Sequence, residues 1–214
     1  MRSSFKSTVF AILVSLVLVP ASFSQTFPVQ NAPVKAKSAI KVAPELKISF
    51  PVVKGWEKSE VTTYPVAALG YSVNYESEEG GRVTVYVYNS GRSKIVNGAK
   101  DKVIKDEIEK AKSEILEFEK RGVYQNVKEI KNETIALGGE NGKVESLHYL
   151  LSMSARGNEL TSEIYLFGYK NHFIKLRATR LYEKEGIKNQ AMTDLLSALE
   201  KLFSDDGSMA LVRN

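Results

Sequence analysis

Residues 160–181 read LTSEIYLFGY, then KN, then HFIKLRATRL. In the second run, residues 172–181, Ile174, Leu176 and Ala178 alternate with Lys175, Arg177 and Thr179. That period of two predicts a strand with one apolar face. The first run, residues 160–169, is different. Ile164 and Leu166 point one way, and Tyr165 and Phe167 point the other. A strand apolar on both faces is covered on both. With Lys170-Asn171 as the turn, the pair predicts the interior of an antiparallel sheet that carries helical cover on each side.

Two more strands precede this hairpin, over residues 127–137 and 143–153. Arg156-Gly157-Asn158 and Gly138-Gly139-Glu140-Asn141-Gly142 supply the turns. Even spacing and short turns predict an antiparallel meander. Further upstream, Ile104, Ile108, Ala111, Ile115 and Phe118 recur at steps of four and three. They predict a helix opened by Asn97-Gly98 and closed by Arg121-Gly122, with Gly122 as a left-handed cap. Residues 71–75 and 82–88 predict a hairpin around Glu78-Glu79-Gly80-Gly81. Residues 46–53, ending near Pro51, and residues 61–66 predict two earlier strands. A last helix is expected over residues 183–203, with Ile187, Ala191, Leu195, Leu199 and Leu202 buried.

The resulting order is ββββ-α-ββββ-α. Strands cluster instead of alternating with helices, so the class is α+β: an antiparallel sheet of about six to eight strands flanked by two long helices. It forms one domain over residues 46–203. Hydrophobic residues make up 43% and charged residues 26%. This balance excludes wholesale disorder.

The leading residues predict export. Arg2 and Lys6 precede the apolar run VFAILVSLVLV at residues 9–19. Pro20 breaks that run, and Ser22 and Ser24 fit the small-x-small cleavage rule. Residues 1–24 are therefore expected to be a signal peptide. The run is shorter than the ~20 residues a spanning helix needs. No later stretch approaches it, so the chain is not expected to be an integral membrane protein. Residues 25–45, with Pro28, Pro33 and Pro44, read as an extended linker, and residues 204–214 as a flexible tail. A periplasmic or secreted location follows from this organisation. The chain has no cysteine. That excludes disulfides, thiolate metal sites, a cysteine nucleophile and a lipid-modified cysteine.

Little chemistry is visible. Of the formal charge of +5, Arg2 and Lys6 belong to the leader, and elsewhere Lys and Glu are interleaved. The clustered basic footprint of a nucleic-acid protein is missing. His148 and His172 fall in or beside strands and lack partners at metal-ligand spacing. They are read as sheet-surface histidines, with no metal and no catalytic role. Residues 138–143, GGENGK, fail the Walker spacing and read as a turn. No nucleophile elbow, zincin, EF-hand or dinucleotide motif occurs, and no cofactor is expected. Aromatics are the main lead. Tyr71, Tyr75, Tyr86 and Tyr88 crowd one hairpin, and tyrosine suits both strands and interfaces. They are the candidate partner-binding residues. Val83, Val85 and Val87 are taken as core, so the Tyr86/Tyr88 face is expected to look outward.

The segment Phe50-Pro51-Val52-Val53-Lys54-Gly55-Trp56, the hairpin at residues 71–88 and the order of elements resemble the Mog1/PsbP-like superfamily. The resemblance covers about residues 46–203. It implies an antiparallel sheet flanked by helices, and partners that differ between members. It carries over no functional residue. The expectation is an exported, non-catalytic envelope protein that binds another protein. A small-molecule or lipid carrier with a pocket between sheet and helix is the alternative, followed by a hydrolase with an unrecognised site.

Overall fold

The computed structural model describes residues 46–77, 80–139, 142–182 and 189–204. The expected signal peptide and linker, residues 205–214 of the tail, Ile187 and the start of the last helix lie outside the described residues.

Among the described residues, eight strands and two helices follow in chain order: β1 (Trp56–Lys58), β2 (Thr62–Thr63), β3 (Tyr71–Ser77), β4 (Arg82–Tyr88), α1 (Lys102–Lys120), β5 (Gln125–Ala136), β6 (Glu145–Ala155), β7 (Asn158–Tyr169), β8 (His172–Leu181) and α2 (Gln190–Phe203). All pairings are antiparallel, in the order β1-β3-β4-β8-β7-β6-β5, with β2 also on β3. The predicted α+β class and the clustering of strands hold. The β7–β8 turn uses Lys170 and Asn171 at φ 45° and 64°. Two consecutive positive φ values match the right-handed twist of the flanking strands.

The N-terminal hairpin joins the meander in mid-sheet, where β4 lies beside β8. Helical cover lies on both faces. Ile104, Ile108, Ala111 and Ile115 of α1 pack with Leu147, Tyr149, Leu151, Ile164 and Leu166. Met192, Leu195, Leu199 and Phe203 of α2 pack on the other face, with Val73, Tyr75, Val83, Val85, Phe167 and Leu176.

Several local expectations are corrected. Residues 46–53 form no strand. Their carbonyls are instead taken by side chains, because Tyr71 donates to Leu46 O, Tyr75 to Pro51 O and Lys58 to Phe50 O. Phe50 and Val53 enter the core, so the segment is a strap tied over the α2 face. The strand expected at residues 61–66 shortens to Thr62–Thr63 and gives way after Pro65 to a 3-10 turn, Ala67–Leu69. Helix α1 starts at Lys102, capped by Asp101, whose side chain accepts from Val103 N, and not at Asn97-Gly98. Gly98 instead pairs with Gly168 of β7 through two backbone hydrogen bonds of 2.9 Å. A Cβ on Gly168 would stand 1.9 Å from Val96 O, so this close approach requires glycine. Phe118 falls off the buried stripe of α1 and rests edge-on against Tyr124. In α2, Met192 and Phe203 are buried, while Ala191 and Leu202 are only partly so.

Candidate functional site

Strand pairing sorts the four candidate tyrosines onto two faces. Tyr71 and Tyr75 lie opposite Val87 and Val83, on the α2 side. They are 5% and 0% exposed, and their hydroxyls hold the strap. Burial pushes the Tyr75 phenol well above its usual range. Neither is available to a partner, so as contact residues they are corrected to core.

Tyr86 and Tyr88 share the α1 side. The expectation that this face looks outward fails for Tyr88. It is 7% exposed, packs on Phe173 and donates to Glu107 of α1 at 3.0 Å. Valines on one face do not make the other face solvent when a second helix covers it. Tyr86 is half-buried and stays at the margin of that cover. Burial raises its phenol first, and Tyr64 adds to this.

Around Tyr86 the α1 side of β3, β4 and β8 is polar and half-buried: Asn74, Thr84, Tyr86, Lys175, Arg177 and Thr179. Register puts Lys175 beside Tyr86 and Arg177 beside Thr84. The Lys175 Nζ lies 5.0 Å from the Tyr86 ring centroid and 5.4 Å from that of Tyr88. Arg177 donates to Tyr124 Oη at 3.0 Å. Burial holds the Lys175 ammonium below the usual lysine range. Glu114 and Glu107 pull it back, and Arg177 lowers it further. The strip thus places two cations beside an aromatic ring, charges that an anionic group can pair with.

A second cluster lies on the α2 side, and the sequence reading missed it. Glu163 is 6% exposed. It receives Tyr165 Oη and faces His148 Nε2 at 3.0 Å and Arg180 Nη2 at 2.7 Å. The imidazole stacks on the Tyr165 ring, with centroids 4.7 Å apart. Burial raises the Glu163 carboxyl, but the hydrogen bonds from His148 and Tyr165 and the Arg180 charge outweigh it. The result is a pKa brought down to about 2. Both carboxylate oxygens are engaged, Oε2 with Tyr165 and His148 and Oε1 with Arg180, so the cluster fastens β6, β7 and β8 together. His148 and His172 are 7% and 5% exposed. His172 Nδ1 lies 2.9 Å from Lys170 O. The expected sheet-surface histidines are therefore buried ones, because the sheet is covered on both faces.

Among the described residues, no group of three or more His, Asp or Glu side chains is placed to hold a metal ion. No described helix is long and apolar enough to cross a membrane. The chain matches no protein-family model and no curated protein.

Proposed function

We propose that this chain is an exported, non-catalytic binding protein of the cell envelope, periplasmic or secreted, built on a Mog1/PsbP-like plan. Its contact surface is the strip beside α1 centred on Tyr86. The observation that carries this reading is the contrast in cover. On the α2 side of β3, β4 and β8, Val73, Tyr75, Val83, Val85, Leu176 and Ala178 are at most 1% exposed. On the α1 side of the same strands the polar strip stays within reach of solvent. An aromatic at the edge of a half-covered polar strip is the composition of an interface anchor. The leader pattern at residues 1–24 supports export.

Affinity capture from an envelope fraction tests the reading. Replacing Tyr86 by Ser is expected to leave the thermal midpoint within a few degrees and to weaken capture about thirtyfold, the effect of losing ~2 kcal/mol at an interface aromatic. Undiminished capture by a folded Tyr86→Ser variant would remove the strip as the contact surface.

A further inference from the structure

We infer that Lys175 and Arg177 form a carboxylate-binding floor, so that the partner of this chain engages the strip through an acidic segment, an Asp or Glu side chain bridging both cations beside the Tyr86 ring. This rests on the binding-surface reading above and names what that surface recognises.

The argument is the pairing of charges. Arg82, Lys112 and Arg180 are each buried or half-buried, and each lies against a carboxylate: Glu76, Glu109 and Glu163. Lys175 and Arg177 are also half-buried, yet no carboxylate oxygen of the described residues lies within 4.0 Å of either. A cation withdrawn from water without a counterion is destabilising, and a ligand that supplies the counterion recovers the difference. The two residues are two apart on β8 and point to one face, about 7 Å along the strand, a span that one carboxylate can bridge by drawing both long side chains toward it. Arg177 spends one donor on Tyr124 and keeps others for a carboxylate.

The groups packed against the floor do not fill this role. From α1, Glu107 is already engaged by Tyr88 and by Lys110 at 3.1 Å. Glu114 acts on Lys175 only from beyond ion-pair distance. From β4, Thr84, Tyr86 and Tyr88 bring no charge at neutral pH. The same acids choose between sources of anion. Glu114 stands exposed on α1, within electrostatic reach of Lys175 and Tyr86, and repels a broad anionic surface such as a phospholipid bilayer. A single acidic side chain from a peptide brings far less charge past it.

The test uses the full chain and a hexaglutamate peptide. Backbone amide shifts of residues 84–88 and 173–179 are followed by NMR during titration. Saturable shifts centred on Tyr86, Lys175 and Arg177 are expected, weakened about tenfold in K175Q/R177Q and retained in K175R. The single variant K175Q, with its thermal midpoint measured alongside, serves if the double variant unfolds. No saturable shift, or shifts unchanged in a folded K175Q, would overturn the inference. So would binding of inorganic phosphate or of phosphatidylglycerol vesicles as tightly as the peptide, because the ligand would then be a phosphate. The two readings separate cleanly. Loss of partner capture by Tyr86→Ser without hexaglutamate binding keeps the contact surface and removes the acidic ligand. Hexaglutamate binding together with capture that Tyr86→Ser leaves intact removes the contact surface.

Discussion

Tyr75 and Tyr86 belong to one hairpin and face opposite ways. Tyr75 is fully buried under α2, and its hydroxyl is spent on the strap at Pro51 O. Tyr86 is half-buried at the margin of the α1 core, with a lysine over its ring. The α2 side of β3, β4 and β8 is a finished core, and its apolar surface is removed from water almost entirely. The α1 side of the same strands remains partly wet. The difference teaches that one hairpin can bury one of its faces completely and leave the other only half covered. Side chains on the closed side hold the sheet together, and those on the half-open side, the contact surface proposed above, keep partial access to solvent.

The sharpest way to break this contrast is to charge the closed side. Leu195 of α2 is fully buried. Leu195→Asp places an unpaired carboxylate against the sheet and is expected to cost about 4 kcal/mol or more, enough to unfold a domain of ordinary stability. A thermal midpoint unchanged within error would mean that α2 does not seal this face.

Acid probes the Glu163 cluster on the same side. Its carboxyl titrates near 2 in the fold against 4.5 when unperturbed. A depressed folded pKa contributes stability that is fully present above about pH 4.5 and is lost as pH falls through 2. The expected contribution is a few kcal/mol. Glu163→Gln removes the titrating group, so unfolding free energy measured from pH 5 to 2 is expected to fall less steeply than in the wild type. Parallel curves for the two proteins would place the acid sensitivity elsewhere.

The smallest effect compares the tyrosines themselves. Tyr75→Phe leaves the half-buried Pro51 carbonyl without this donor and is expected to cost about 1 kcal/mol by denaturant unfolding. Tyr86→Phe, at a solvated edge, is expected to stay below about 0.5 kcal/mol. Equal losses would erase the distinction between the two faces.

The sequence foreshadows this arrangement unevenly. Local periodicity made β7 and β8 legible, along with the cover on both sides that the double-faced apolar pattern of Ile164, Tyr165, Leu166 and Phe167 demanded. The valines of β4 were legible as core for the same reason. Alternation cannot say what lies over the opposite face, and so Tyr88 read as outward although Glu107 of α1 waits above it. The strap at residues 46–53 carries strand-like residues, but two of its carbonyls go to phenols more than twenty residues away. The Glu163 cluster was illegible because His148, Glu163 and Arg180 meet only through the register of three strands. A lone acid between Ser162 and Ile164 in an apolar run was the signal, and only the pairing gave it a meaning. Lys175 and Arg177 were visible as the polar face of β8. That no carboxylate of the described residues pairs with them was not, since that depends on where every Glu of α1 comes to rest.

The Gly98–Gly168 bridge ties the connection before α1 to a strand that enters the chain seventy residues later, and its consequence is kinetic. Helix α1 lies between β4 and β5 in sequence, yet its leading end is seated on β7, and β4 itself finds its neighbour only in β8. The local hairpins β3–β4 and β7–β8 can close early, because their loops are short and little chain entropy is lost in forming them. The join between the two halves must wait until the last strand exists. A folding rate governed by such distant pairings is slow for a chain of this length, and the two hairpins would form before the sheet that unites them.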